Sequence, residues 1–368
     1  MPLSKTTFRA TFALLLVSLL AFAAACSGER GGTGNVGGGG AINLQGAGAT
    51  FPNPIYQKWV SDYGKANPNV RIDYQSIGSG GGIKQLQAQT VDFGASDAPM
   101  KDEDIKAAPG EVLHIPTVLG AVVLTYNLQG VEKPLHFSPD VIADIFLGKI
   151  KRWDDARMKA DNAGVALPAA DITVVHRSDG SGTSAVFTDY LSKVSGEWKE
   201  RVGSGTSPTW PVGQGGKGNE GVTGQVKNQP NTIGYVELAY AVQNKLPVAL
   251  IKNSSGNFVE PGLDAVTAAA SESLATTPDD LRVSITNAAG ATAYPISSYT
   301  YLLVYKDQKD AGRGKALVDF IWWGIHDGQA ATKDPQYPYA PLPAEIVKRA
   351  EAKINSVTSG GKPLRQQG

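Results

Sequence analysis

A single cysteine, Cys26, among 368 residues excludes any internal disulfide framework. Histidine is almost as scarce. His114, His136, His176 and His326 stand far apart without His-x-x-x-His spacing, so no metal-ligand pattern is readable. Neither charge is in excess: 34 Lys+Arg balance 34 Asp+Glu for a formal net charge of +0. A strongly basic nucleic-acid-binding surface and an acidic tail are thereby excluded as global features. Charged residues make up only 18% against 42% hydrophobic, which suits a folded globular chain rather than a disordered one. Long apolar runs are missing too, since the stretch from Phe12 to Ala25 is too short for a comfortable membrane span. No internal repeat of solenoid or propeller length occurs. What is plentiful is glycine, with 43 residues gathered in a few clusters, on a chain long enough for about two domains.

The N-terminus has the layout of an export signal. Lys5 and Arg9 precede the apolar run, which ends in Ala23-Ala24-Ala25-Cys26. Small residues followed by the lone cysteine resemble a bacterial lipobox, although Ala23 stands where Leu is commoner. The expectation is a signal peptide over residues 1–25 and an acylated Cys26, giving an exported lipoprotein, periplasmic or at the cell surface, anchored to a bacterial membrane. Residues 26–40, SGERGGTGNVGGGG after the cysteine, cannot bury apolar surface and read as a flexible tether with a reach of about 20 Å.

Beyond the tether, short apolar runs alternate with amphipathic ones. Val70, Ile72 and Tyr74 alternate with polar residues as in a strand, whereas Ile55, Trp59, Val60 and Tyr63 recur at helical spacing. Further strands are expected at Ile42–Gln45, Val91–Ala95, Ala121–Tyr126, Ile172–His176, Ile233–Val236, Val248–Ile251 and Tyr299–Tyr305. Helices are expected at Gly82–Gln89, Pro139–Leu147, Ser184–Val194, Gly314–Gly324 and Pro343–Ile354. This alternation predicts an α/β fold with mostly parallel sheets. The Gly-rich stretch Trp210–Gly221 reads as a packing loop, the Lys149–Asp154 segment as a solvated turn, and Ser356–Gly368 as a polar tail.

Four segments share one plan, in which a strand leads into small and hydroxyl-bearing residues and then a helix. They are Gly46–Pro52, where Thr50 suits an N-cap, Ile77–Gly82, Asp92–Asp97 and His176–Thr183. A helix start exposes unsatisfied N–H groups and partial positive charge, and glycine lets such groups approach an oxyanion closely. Any one of these segments is explained by capping and turn chemistry; four in one chain, one of them carrying Arg177, point to an anion site. The nucleotide fingerprints do not fit, because Ile83 and Gln85 flank Lys84 where a P-loop needs Gly-Lys-Ser/Thr.

The strings GAGATFP, IGSGGGIKQ, TVDFGASDAPM, LGKIKRWDD, HRSDGSGTSAVFTDYLSKV, WPVGQGGKGNEGV and TIGYVE resemble the periplasmic substrate-binding protein of the high-affinity phosphate ABC transporter, in that family's order from about residue 42 to the end. The resemblance implies a two-domain, periplasmic-binding-protein-like α/β fold (type II-like). Each domain would be a mostly parallel sheet flanked by helices, with the ligand in the cleft between them. It places domain I at residues 41–116 plus 295–368 and domain II at 117–294. It carries phosphate contacts onto Thr50, Phe51, Ser79, Asp97, Arg177, Ser181, Gly182 and Thr183, with Asp179 beside the arginine. Two departures lie close by: His176 precedes the matched Arg, and Gly80 stands where Ser is common.

These residue types suit the task. Arg177 offers a planar donor array for two oxygens, and Asp179 would hold it flat. Ser79, Ser181 and Thr50 add hydroxyl donors, while Phe51, Gly182 and Thr183 add N–H groups. Asp97 fits an anion that keeps a proton: hydrogen phosphate can donate to a carboxylate, whereas sulfate meets it as a like charge. The implied ligand is inorganic phosphate, with no cofactor, no metal and no nucleic acid. The implied partners are permease subunits with a cytoplasmic ATPase, and the chain itself would be a monomer. Rival readings are a receptor for another tetrahedral oxyanion, which Asp97 opposes, and a phosphate-ester hydrolase with Ser181 as nucleophile. The hydrolase would need an adjacent base, and Gly180-Ser181-Gly182 lacks the Gly-x-Ser-x-Gly elbow.

Overall fold

The computed structural model describes residues 41–365. The signal, Cys26 and the tether lie outside the described residues. Among the described residues no helix is long and apolar enough to cross a membrane.

Strands alternate with helices along the first third of the chain. They are β1 (Ile42–Gly48), α1 (Asn53–Ala66), β2 (Val70–Ser76), α2 (Ser79–Gln87), β3 (Phe93–Ser96), α3 (Asp102–Lys106) and β4 (Val112–Asn127). The middle of the chain adds β5 (His136–Phe137), α4 (Pro139–Phe146), α5 (Ala156–Asp161), β6 (Thr173–Arg177), α6 (Gly182–Val194) and α7 (Gly196–Arg201). There follow β7 (Gln214–Gly216), α8 (Gly218–Asn228), β8 (Thr232–Glu237), α9 (Leu238–Asn244), β9 (Leu250–Lys252), β10 (Phe258–Val259) and α10 (Leu263–Ser271). The chain closes with β11 (Ser297–Tyr305), α11 (Ala311–Ile325), α12 (Ala344–Asn355) and the small hairpin of β12 (Thr358–Ser359) and β13 (Lys362–Pro363).

The main sheet runs β2-β1-β3-β11-β4-β8-β6-β7. Its two outer arms are parallel: β1 pairs with β2 and β3, and β6 pairs with β7 and β8. The middle is antiparallel, because β11 runs against both β3 and β4, and β4 runs against β8. Strand β4 joins the arms. Residues from Val112 to Ala121 pair with β11, and Val122 to Asn127 pair with β8. It is buried along its length up to Tyr126, so it reads as a continuous apolar run in which alternation is lost. That is why period-two reading placed only its second half in a strand.

Each arm has its own aromatic packing. On the first, Tyr56 of α1 meets Tyr74 of β2 edge-on at 5.3 Å and Tyr63 meets Phe320 of α11 at 5.2 Å. On the second, Phe187 of α6 stacks on Tyr235 of β8 at 4.5 Å and meets Phe146 of α4 at 4.7 Å. Such pairs add about 0.5–1.5 kcal/mol each beyond the area they bury. The loops at the C-terminal ends of the parallel strands in the two arms converge, as open α/β sheets arrange their ligand crevices.

Three sequence expectations change here. Trp153 in the presumed solvated turn is fully buried, with its indole N–H donating to the Asn231 carbonyl. The described part of the polar tail is paired: Thr358 and Ser359 face Pro363 and Lys362, and Leu364 packs against the core. The Gly-rich segment from Trp210 is not a loop throughout, since it holds β7 and the start of α8.

Candidate functional site

Four of the expected contact residues come from loops that end the first arm's strands. Thr50 and Phe51 follow β1, Ser79 begins α2 after β2, and Asp97 follows β3. All four are buried. Thr50 does not cap α1, whose N-cap position is Pro52; its hydroxyl oxygen instead accepts from the Asn219 backbone N–H at 3.2 Å and the Asn219 side-chain amide at 2.7 Å. The Thr50 carbonyl takes the Tyr240 hydroxyl at 2.6 Å, and the Phe51 carbonyl takes the Tyr339 hydroxyl at 2.7 Å.

Asp97 is 1% exposed and held from two sides. Its Oδ1 accepts from the Thr300 hydroxyl at 2.9 Å, its N–H donates to Ser79 Oγ at 3.3 Å, and its carbonyl takes the Ser298 hydroxyl at 3.1 Å. Its Oδ2 is buried with no hydrogen-bond partner. Burial pushes the Asp97 carboxyl up to about 7, against the opposing pull of the Thr300 hydrogen bond, the Arg177 charge and Ser79.

From the second arm come Arg177 at the end of β6 and the turn leading into α6. Arg177 is 3% exposed and paired with Asp179 through two parallel bonds, Nε to Oδ1 at 2.8 Å and Nη2 to Oδ2 at 2.6 Å. Its Nη1 donates to Thr183 Oγ1 at 3.2 Å. The Gly218 N–H at the start of α8 adds a 3.0 Å bond to Asp179 Oδ1. Burial alone would raise the Asp179 carboxyl, but the Arg177 fork and the Gly218 N–H outweigh it and hold it below the usual carboxylate range. Asp179 thus stays ionised and keeps the guanidinium in plane.

Ser181 caps α6. Its Oγ accepts the Ser184 N–H at 2.9 Å, and its own N–H donates to the Thr206 carbonyl at 2.8 Å. The N–H groups of Gly182 and Thr183, in the helix's first turn, are left pointing along the positive end of its dipole. A side chain at Gly182 would collide with Ser79 Oγ and stand 2.5 Å from Asp97 Oδ2, so glycine is required where the two arms meet. Gly78, at φ +87°, turns the backbone before α2, and the next contact follows at once: the Gly80 N–H donates to the Gly180 carbonyl at 2.8 Å. Gly80, one of the two departures, lies at this seam. The other, His176, stacks on Trp210 at 5.0 Å.

Comparison with known proteins places the chain in a family. The family model of the PBP superfamily domain matches residues 29–323. The phosphate-binding protein PstS of Xylella fastidiosa is 45% identical over 313 residues, covering 84% of each chain. That of Pasteurella multocida is 45% identical over 329 residues, covering 89% of this chain and 94% of the relative. The chain belongs to the PstS family. Among solved structures, a DING protein superposes with a TM-score of 0.68 at 19% identity, covering 88% of this chain and 100% of that one. A high-affinity periplasmic phosphate-binding protein (PfluDING) bound with phosphate gives 0.66 at 20%, covering 84% and 93%. At these identities the superpositions speak for the fold, the two-domain arrangement of periplasmic binding proteins.

The geometry also brings in residues that sequence reasoning passed over. Asn219 links Thr50 to Thr183, with its amide donating to Thr183 Oγ1 at 3.1 Å, and it sits in the Gly-rich segment whose composition reads as a loop. Three glycines, Gly218, Gly221 and Gly224, lower the helix propensity of α8 by about 1 kcal/mol each relative to alanine, which hid it. Glu237, at the end of β8, is fully buried; its Oε2 accepts from the Ala239 N–H at 2.8 Å and the Tyr339 hydroxyl at 2.9 Å, while Oε1 is unpartnered. Burial raises its carboxyl well above the usual range. The string TIGYVE carries it, but only the turn into α9 marks its role as a helix cap. Among the described residues no His, Cys, Asp and Glu group is arranged to hold a metal ion.

Proposed function

We propose that this chain binds inorganic phosphate between its two arms and delivers it to the membrane permease of a phosphate ABC transporter. One observation carries the reading: a buried carboxylate oxygen without a partner, Asp97 Oδ2, set among donors from both arms. On this reading Arg177 supplies two guanidinium donors. Thr50, Ser79, Ser181 and Thr183 supply hydroxyls. Phe51, Gly182 and Thr183 supply backbone N–H groups, and Asp179 orients the arginine. The net charge of zero leaves attraction to these local donors and helix dipoles rather than to a general positive field. Asp97 accepts a hydrogen bond from the hydroxyl that hydrogen phosphate carries and opposes sulfate, which has none to give.

The division into domain I, residues 41–116 with 295–368, and domain II, residues 117–294, is supported by the way β4 leaves β11 for β8 after Ala121. The antiparallel middle is then the hinge region, and phosphate favours the closed form because only there do both sets of donors reach it. Ser181 Oγ is engaged as a helix cap, which suits a receptor rather than a hydrolase. The export signal and Cys26 support a periplasmic or surface lipoprotein, tethered near its permease.

Calorimetric titration of the purified chain with phosphate and, separately, with sulfate at pH 7 tests the assignment. One phosphate bound per chain, at least 100-fold tighter than sulfate, is the expected result. Equal affinities or no heat with phosphate would overturn it.

A further inference from the structure

The hydrogen bonds of Asn219 reach beyond the contact set itself. Asn219 is fully buried in the first turn of α8. Its Oδ1 accepts the Glu237 backbone N–H at 2.9 Å. A backbone N–H can only donate, so the atom facing it must be the amide oxygen, and the amide nitrogen must face the other way. There it has two hydrogens and two targets, Thr50 Oγ1 at 2.7 Å and Thr183 Oγ1 at 3.1 Å.

Each of these hydroxyl oxygens receives a second donor. Thr50 Oγ1 also takes the Asn219 backbone N–H at 3.2 Å, and Thr183 Oγ1 also takes Arg177 Nη1 at 3.2 Å. A hydroxyl has two lone pairs and one hydrogen. With both lone pairs engaged by groups that cannot accept, neither threonine can turn its hydrogen towards Asn219 or Arg177. The hydrogen is free only for an acceptor on the remaining side.

We infer that Asn219 is a positioning residue that makes the hydroxyls of Thr50 and Thr183, one from each arm, obligate donors to the bound anion. A freely rotating hydroxyl can donate to an unprotonated oxygen of the anion or accept from a protonated one; a hydroxyl already saturated with donors can only donate. The device therefore sharpens preference for a ligand that accepts at these two points, and leaves Asp97 as the place where the ligand donates. The inference rests on the phosphate-receptor reading, and the experiment separates the two.

Phosphate affinity of the full exported chain is measured by calorimetry for wild type, Asn219→Ala and Asn219→Asp, each checked for fold by circular dichroism. Aspartate keeps the shape of asparagine but accepts instead of donating, so it draws both hydroxyl hydrogens away from the ligand. The expected loss is on the order of 100-fold for Asn219→Asp and about 10-fold for Asn219→Ala. Alanine weaker than or equal to aspartate would mean that Asn219 only fills space, and would overturn the inference. The same pair is then compared in the Thr50→Val/Thr183→Val background, where the gap between the two should shrink to about threefold or less. A gap that persists would assign the effect to charge repulsion and equally overturn it. Should Asn219→Asp fail to fold, the wild-type phosphate complex supplies the readout. Proton NMR should show both threonine hydroxyl hydrogens correlated with the 31P resonance, and hydrogens directed to Asn219 instead would refute the idea. Absence of phosphate binding by the wild-type chain would sink the receptor reading, a result distinct from any of these.

Discussion

Arg177 and Asp97 are both buried charged side chains at the meeting of the two arms, yet they are built in opposite ways. Arg177 is committed within its own arm, to Asp179 and Thr183, and its cost of burial is offset by a bidentate partner. Asp97 is only half satisfied: Thr300 takes one oxygen and the other has no partner. The contrast shows up in the titration of the carboxylates, with Asp179 held down by the arginine while Asp97 is pushed up to about 7 chiefly by burial. A paired charge makes a rigid donor platform, and an unpaired one makes a demand that a ligand must meet. On the proposed phosphate-receptor reading, affinity and selectivity fall to different residues.

Removing the paired charge should have the largest effect. Arg177→Ala deletes a charge-assisted donor pair and leaves Asp179 partly buried without its partner, so phosphate affinity should fall by about 3 kcal/mol or more, over 100-fold. Calorimetry on the folded variant measures it. Arg177→Lys should recover only part of the loss, because an ammonium lacks the planar fork. A variant that binds as wild type does would make Asp97, not Arg177, the anchor and reverse the comparison.

Next comes the unpaired charge. Asp97→Asn keeps the shape and removes the like-charge repulsion, so the sulfate-to-phosphate affinity ratio should rise by about tenfold or more while phosphate itself weakens modestly. Competition titrations at pH 7 and fixed ionic strength read this directly. The same variant tests the raised pKa. In the ligand-free protein the folded-state value of about 7 exceeds the unfolded value of 3.8, so the folded state binds the extra proton between them. Stability from this group is therefore full below about pH 4 and declines as pH rises through 7. The stability difference between wild type and Asp97→Asn should shift over that window, and a difference flat with pH would show that Asp97 is not perturbed.

The smallest effect belongs to Glu237, a third buried acid with an unpartnered oxygen, outside the proposed contact set. Burial raises its carboxyl well above the usual range, which favours the uncharged form. Glu237→Gln should hence change stability near neutral pH by only about 1 kcal/mol, read by chemical denaturation. A loss of several kcal/mol would mean that the carboxylate form is required, and would place Glu237 with the paired charges.

How far the sequence reached depended on how local each signal was. The strands β1, β2, β6 and β8 and helices α1, α4, α6 and α12 are written in periodicity that neighbouring residues carry themselves. The segment before α6 reads as a helix start, and the structure begins that helix at Gly182 with Ser181 as its cap. Thr50 shows the limit. A hydroxyl before a helix suggested a cap, but the helix begins later, at Asn53, and the oxygen serves Asn219 instead.

By itself the sequence determined the α/β alternation, the glycine and hydroxyl loops at strand ends, and the Arg177–Asp179 pair, because two residues apart on one turn suffice to bring that fork and carboxylate together. Only the tertiary structure decided what those loops would meet. Thr50 and Asn219 are 169 positions apart and Asp97 and Thr300 are 203 apart, so no local pattern relates them. Their contact arises because β4 and β11 place two parallel arms side by side and aim the ends of their strands at one point. Whether a buried carboxylate oxygen is satisfied or left wanting is a property of that point, summed over groups from the whole chain.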